Sequence, residues 1–176
     1  MVGMAMSALL ASAFLVMGFL PTSSAWLTGR HSSCPPGFAQ SPRVPKCYRF
    51  VLILRSWEEA REQCLAERGV LLQLANRAEI HALVALANQE NVPIEIGSPA
   101  VHFWTGGRRV GSSFKWDASG KALPRGSPLW HKGEPNNAGG DEYYTEVYLS
   151  DEAHESAMND IKQSKKFFIC EAPLRV

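Results

Sequence analysis

The sequence predicts one α+β domain with two helices, several short strands and a long irregular loop. Apolar residues recur at helical spacing in two stretches before residue 93, strand-like runs dominate after it, and no strand–helix–strand alternation links the two halves. At 176 residues, with 45% hydrophobic and 20% charged residues, the chain suits a single ordinary globular unit.

Residues 1–25 read as a secretory signal peptide. The apolar run "MSALLASAFLVMGFL" is shorter than the roughly 20 residues of a membrane span, and "SSA" at Ser23–Ala25 is a small-x-small cleavage site. Cleavage after Ala25 would leave residues 26–176 as a secreted, extracellular domain with no membrane span. Gly29–Lys46, rich in Pro, Gly and Ser, is a loop or short hairpin, and "CYRFVLI" is a strand. "SWEEAREQCLAERG" is a helix: Ser56 caps it, Glu59 stands at the capping-box spacing, and Trp57, Ala60 and Cys64 share one face. Gly69 is the expected C-terminal stop. A second helix starts from Asn76 with Glu79 three residues on, and Ile80, Leu83, Val84 and Ala87 form its core stripe. "VHFWTGG" is a buried strand stopped by its glycines. "SSFKWDASGKAL" is a hairpin turning near Ser119–Gly120, and "TEVYLS" and "KKFFICEA" are strands. Trp104, Trp116 and Trp130 are expected in the core, with Trp130 bordering the loop that follows it.

Four cysteines, all after the leader, suit disulfides in an oxidising compartment. Three pairings are open. Cys34–Cys47, a short local loop, with Cys64–Cys170, tying the first helix to the chain end, is the pairing expected. No C-x-x-C argues for zinc or redox chemistry. A net charge of +1 gives no basis for a nucleic-acid surface. "KQSKK" at Lys162–Lys166 is read as a solvated face.

The stretch from Pro124 to Asp141 has no period. Within and beyond it, "WHKGEPNNAGGDE" gathers Glu134, Asp141 and Glu142 around Asn136 and Asn137, and "MNDI" adds Asn159 and Asp160. Hard cations of the Ca²⁺ type take six to eight oxygens from such groups. Three carboxylates (Glu134, Glu142, Asp160) and two amides (Asn136, Asn159) would make an oxygen cage, and the cation would offset their mutual repulsion. The competing reading is a solvated acidic loop. The spacing is not that of an EF-hand. His131, beside the motif, reads as a surface residue.

The ordered set W-x-x-G-E-P-N-N, N-D and F-I-C-E, with "SWEEAREQC" upstream, resembles the C-type lectin carbohydrate-recognition domain over Cys34 to Glu171. The resemblance implies the C-type lectin-like fold, two helices with two small antiparallel sheets and a long calcium-binding loop. It implies that Glu134, Asn136, Glu142, Asn159 and Asp160 hold Ca²⁺ and carbohydrate together, with Pro135 cis. The neighbouring acid Asp141 leaves the register of Glu142 open. A Glu-Pro-Asn motif implies a mannose-type preference, covering mannose, N-acetylglucosamine or fucose, and pattern recognition of microbial or cell-surface glycans in innate immunity. The second core disulfide of the family is missing: Tyr144 and Gln163 occupy the aligned places, and Met158 stands where Trp is usual. Asn137 and Tyr143 replace acids of an auxiliary ion site, so a single Ca²⁺ site is expected. Any oligomer would form through the domain surface.

Two other classes compete with this reading. A protein-, matrix- or mineral-binding relative of the same fold without sugar binding is the alternative, because fold does not dictate function. An enzyme is not expected: neither H-E-x-x-H nor G-x-S-x-G is present, and nothing orients a general base against a nucleophile.

Overall fold

The computed structural model describes residues 33–94, 101–150 and 156–175. The predicted leader lies outside the described residues.

The chain opens with a hairpin of β1 (Ala39–Gln40) and β2 (Lys46–Arg55), closed by the Cys34–Cys47 disulfide. Helix α1 (Trp57–Ala66) follows, and its start is the predicted capping box: Ser56 accepts from the Glu59 amide while Glu59 accepts from the Ser56 amide. Its end differs from expectation. Arg68, not Gly69, takes the left-handed conformation (φ 63°), and the Gly69 amide reaches back to the Cys64 carbonyl at 2.9 Å in a Schellman closure. Gly69 is needed for space, since a Cβ there would lie 2.8 Å from the Glu171 carbonyl oxygen. After β3 (Val70–Leu71), helix α2 (Arg77–Gln89) starts from Asn76, which caps the Glu79 amide. Its predicted stripe is buried.

The late strands are β4 (Val101–Val110), β5 (Ser113–Trp116), β6 (Ala122–Leu123), β7 (Tyr144–Leu149), β8 (Ala157–Ile161) and β9 (Lys166–Pro173). The glycines of "VHFWTGG" do not stop β4. The strand runs on through them because its neighbours press in. A Cβ on Gly107 would sit 2.2 Å from the Thr145 hydroxyl, and one on Gly106 2.9 Å from the Leu71 carbonyl. "MNDI", the second cluster of candidate ligands, lies within strand β8, which pairs antiparallel with β7.

One sheet layer joins β1, β2, β9 and β3; the other joins β4 to β8. A short parallel contact, Phe103 with Phe167 and Trp104 with Phe168, merges them into one mixed network. The larger core packs Ile80, Leu83 and Leu86 of α2 on Phe103, Val147, Leu149, Met158 and Ile169. The smaller packs Trp57 and Ala60 of α1 on Trp104, Phe168 and the Cys64–Cys170 disulfide. Lys46 adds a polar tie, bonding Glu79 of α2 at 3.2 Å and Glu171 of β9 at 3.3 Å. Among the described residues, no helix is long and apolar enough to cross a membrane.

Candidate metal- and ligand-binding site

The loop that carries the acids is anchored at both ends. Trp130 is buried, packs edge-on against Phe114, and donates its indole N–H to the Pro124 carbonyl at 2.8 Å. The His131 amide then bonds the Met158 carbonyl of β8 at 2.8 Å, and the Glu134 amide closes a turn on His131 at 3.0 Å. The Glu134–Pro135 peptide is cis, and the Pro135 carbonyl accepts from Arg125 at 2.8 Å. Past it, Asn137 (φ 54°) and Gly139 (φ 73°) are left-handed, and one 3₁₀ turn spans Ala138–Gly140.

Three of the five predicted residues touch directly. The Asn136 side-chain amide donates to Glu134 Oε1 at 2.9 Å, and its backbone amide donates to Glu134 Oε2 and Asp160 Oδ1. Asp160 is fully buried under the loop. It also accepts from the Asn137 amide at 3.0 Å and from Arg109 Nη2 at 2.9 Å. Adjacent strand residues face opposite ways, so Asn159 looks to the other side of β8. Its amide donates to Glu146 Oε1 at 3.2 Å, which leaves its own carbonyl oxygen free to act as an acceptor. Glu142 turns inward to accept from the Ala138 amide, whereas Asp141 is exposed.

The charges crowd one another. Burial raises the Glu134 carboxyl above its ordinary range, and nearby Asp160 and Glu142 raise it further. Glu142 is raised by burial and by Asp160 and Asp141. Such like-charge crowding is relieved by a cation, and an all-oxygen set of carboxylates and amides suits a hard one. Among the described residues, no three acidic, imidazole or thiol side chains converge on one point. The carboxylates rest on backbone amides and on Arg109 instead.

Sequence reading missed two residues of this site. Glu146 is 2% exposed and is held by His102 at 3.1 Å and Lys166 at 2.9 Å. Burial alone would raise its carboxyl, but these two partners hold it down at about 2. The signal was an acid in period-2 register with Tyr144 and Tyr148, on the face of β7 opposite Val147 and Leu149. Lys166 thereby leaves the solvated face assigned to it, while Lys162 and Lys165 are exposed. Arg109 had no local signal. It lies over the Phe114 ring at 4.5 Å and also donates to the Glu142 carbonyl at 2.9 Å.

Tyr144 and Gln163, which stand where the missing disulfide would be, are joined through a third residue. The Tyr144 hydroxyl donates to Glu58 Oε1 of α1 at 2.5 Å, the Gln163 amide donates to the other oxygen of Glu58, and the Trp57 amide donates to Gln163 Oε1 at 3.2 Å. Met158 fills its place in the core with no exposed surface.

Known proteins share this fold. Bovine (Bos taurus) E-selectin is 30% identical over 118 residues, covering 66% of this chain and 22% of the selectin, so the chain spans about a fifth of that relative's length. Among solved structures, the C-type lectin CEL-I from Cucumaria echinata superposes with a TM-score of 0.61 at 23% identity, covering 81% of this chain and 97% of its own. A calcium-independent type II antifreeze protein superposes at 0.62 with 16% identity, covering 84% and 99%. These two show the fold alone. The family model described as the Lectin C-type domain matches residues 53–172, and the chain accordingly belongs to the C-type lectin domain family, whose members are non-enzymatic binding proteins.

Proposed function

We propose that the protein is a secreted, calcium-dependent lectin of mannose-type preference that recognises microbial or cell-surface glycans. The observation that carries this reading is the Glu134–Asn136 pair, an acceptor beside a donor. Glu134 borders an open cavity of about 350 Å³ that is also lined by Asn159, Glu146, His102, His131 and Tyr148. Glu134, Asn136, Glu142 and Asp160 would hold Ca²⁺ at the loop, Asn159 would reach it from the opposite face of β8 through the cavity it lines with Glu134, and the ion would supply coordination for two neighbouring sugar hydroxyls. The Glu134 carboxylate accepts a hydrogen bond from one hydroxyl, and the Asn136 amide donates one to the other. Glu146 holds the Asn159 amide so that its oxygen stays turned away from the buried acid. Secretion rests on the leader at residues 1–25, and agglutination would require an oligomer, since one site gains avidity only when linked to another.

The test is retention on mannan-agarose in millimolar Ca²⁺, followed by EDTA. The wild-type protein is expected to bind and to elute with EDTA, and Glu134→Ala is expected to flow through. Better competition by galactose than by mannose would overturn the preference. The second reading, a protein- or mineral-binding module, draws on Asp160, whose oxygens already accept three protein donors including a guanidinium. Failure on mannan, galactose and N-acetylglucosamine columns alike would favour it.

A further inference from the structure

The far end of β2 departs from ordinary strand alternation. Side chains along a strand point to opposite faces in turn, yet Leu52, Ile53 and Leu54 are consecutive and 44%, 50% and 52% exposed. The register explains why. Val51 pairs with Phe168 of β9 and Arg55 with Lys166, so three residues of β2 stand against the single residue Phe167. A bulge of this kind bends the strand and re-aims its side chains. On the other side of β2, β1 pairs only with Cys47 and Tyr48, and among the described residues no strand covers the edge beyond them. Single exposed aliphatic residues are ordinary, but a contiguous apolar ridge marks a contact surface.

A basic turn stands beside the ridge. The chain from Lys162 to Lys166 links β8 to β9, and its last residue is the ladder partner of Arg55. Lys166 turns to Glu146, whereas Lys162 and Lys165 are exposed. Gln163 of the same turn accepts from the Trp57 amide at 3.2 Å, which holds the turn against the start of α1, directly after the ridge. The first-turn acids of α1 are engaged, Glu58 with Tyr144 and Gln163, and Glu59 with the Ser56 amide. The Ser56 amide, together with Lys165 and Arg55, holds the Glu59 carboxyl below its ordinary range, so both cations act at this helix start.

An apolar ridge can meet a protein or a lipid surface. Three half-exposed aliphatic side chains offer far less than the roughly 800 Å² per partner of a standard protein interface. A bilayer asks for no such area. Peripheral attachment takes two signals together, an apolar insertion and a basic patch facing anionic headgroups. Both meet at one corner of this domain: Leu52, Ile53 and Leu54 with Arg55, Lys162 and Lys165. We propose that this corner docks on an anionic lipid bilayer, with the ridge entering the acyl boundary and the cations meeting headgroup phosphates. The contact does not use the Glu134 loop and needs neither calcium nor sugar, so it stands whether or not the lectin reading does.

The experiment is flotation of the protein with sugar-free vesicles in EDTA, which keeps the candidate calcium site out of the readout. Vesicles of phosphatidylcholine alone are compared with vesicles that also contain phosphatidylglycerol. Binding is expected on the anionic vesicles at low salt, much less on the neutral ones, and is expected to weaken in high salt. Lys162→Gln with Lys165→Gln should weaken it about 25-fold, since each cation near such a surface is worth about fivefold. Ile53→Ser with Leu54→Ser should weaken it at least about tenfold and, both positions being exposed, leave the thermal melt unchanged. Ile53→Trp should be quenched by brominated acyl chains beyond the wild-type level. No binding to the anionic vesicles, equal binding to the neutral ones, or binding that either double variant leaves intact overturns the proposal. So does an Ile53→Trp variant that binds without added quenching. Concentration-dependent dimerisation that Ile53→Ser abolishes, without vesicle binding, overturns it in favour of a second copy of the chain.

Discussion

At the base of the domain, where β9 meets α1, the link is covalent: Cys64 of the helix is bonded to Cys170 of the strand, and Cys34–Cys47 closes the hairpin alongside. At the edge that carries the candidate site, β7 and the turn after β8 are joined to the same helix by the non-covalent contacts of Tyr144 and Gln163, both of which bond the carboxylate of Glu58. The loop above rests on Asp160, the backbone amides of Asn136 and Asn137, and the guanidinium of Arg109. Both edges solve the same problem of tying distant strands to one helix. The difference is that a disulfide constrains the chain whatever its charge state, whereas the candidate-site edge holds only while particular groups keep their protons and their partners. The half that carries the candidate site is therefore the half whose order responds to charge.

Replacing Cys64 and Cys170 together with alanine should have the largest effect, a loss of about 2–5 kcal/mol, because the bond closes a long loop. Thermal and urea melts of the oxidised proteins would measure it. A loss no larger than that of the Tyr144 variant below would erase the distinction between the two edges.

Arg109→Met comes next. It leaves Asp160, which has no exposed surface, without its cation. The expected cost is about 2 kcal/mol, with cleavage by protease in the 136–142 stretch faster than in wild type even when EDTA is present in both. Unchanged proteolysis would mean that the loop keeps its shape without the guanidinium.

Tyr144→Phe should cost about 1 kcal/mol, the worth of one ordinary hydrogen bond, and its pH dependence sharpens the comparison. Burial, then the bond to Glu58, pushes the Tyr144 hydroxyl up to about 12, against about 10 in an unfolded chain. A raised value means that the stabilisation is complete below the unfolded value and fades as pH climbs toward the folded one. The difference in urea midpoint between wild type and Tyr144→Phe should therefore hold steady at neutral pH and close between about pH 10 and 12. A difference that stays constant across that window would show that the hydroxyl is not the clamp.

Legibility follows the same division. The starts of both helices were readable because a cap and its N–H lie within three residues, as at Ser56 with Glu59 and Asn76 with Glu79. The cysteine pairing expected from the sequence is the pairing in the structure. The strand through Gly106 and Gly107 was misjudged, because what demands glycine there is Leu71 and Thr145, each distant in sequence. Of the candidate site, the acids and amides were visible as a cluster of unlike residues in a segment without a period. The side chains that position them were not visible, because Arg109 reaches Asp160 across 51 residues and Lys166 reaches Glu146 across 20.

By itself, then, the sequence determined the fold class, the helix starts, the buried stripes and the clustering of acids and amides around Glu134. These depend on spacing along the chain, which short-range sterics and hydrogen bonds turn into structure directly. Only the tertiary structure decided which face of β8 each of Asn159 and Asp160 takes, which base neutralises which acid, and that Glu134 and Asn159 border one cavity. Those outcomes depend on which strands become neighbours, and burial gives a charge its partner only after the whole domain has closed around it.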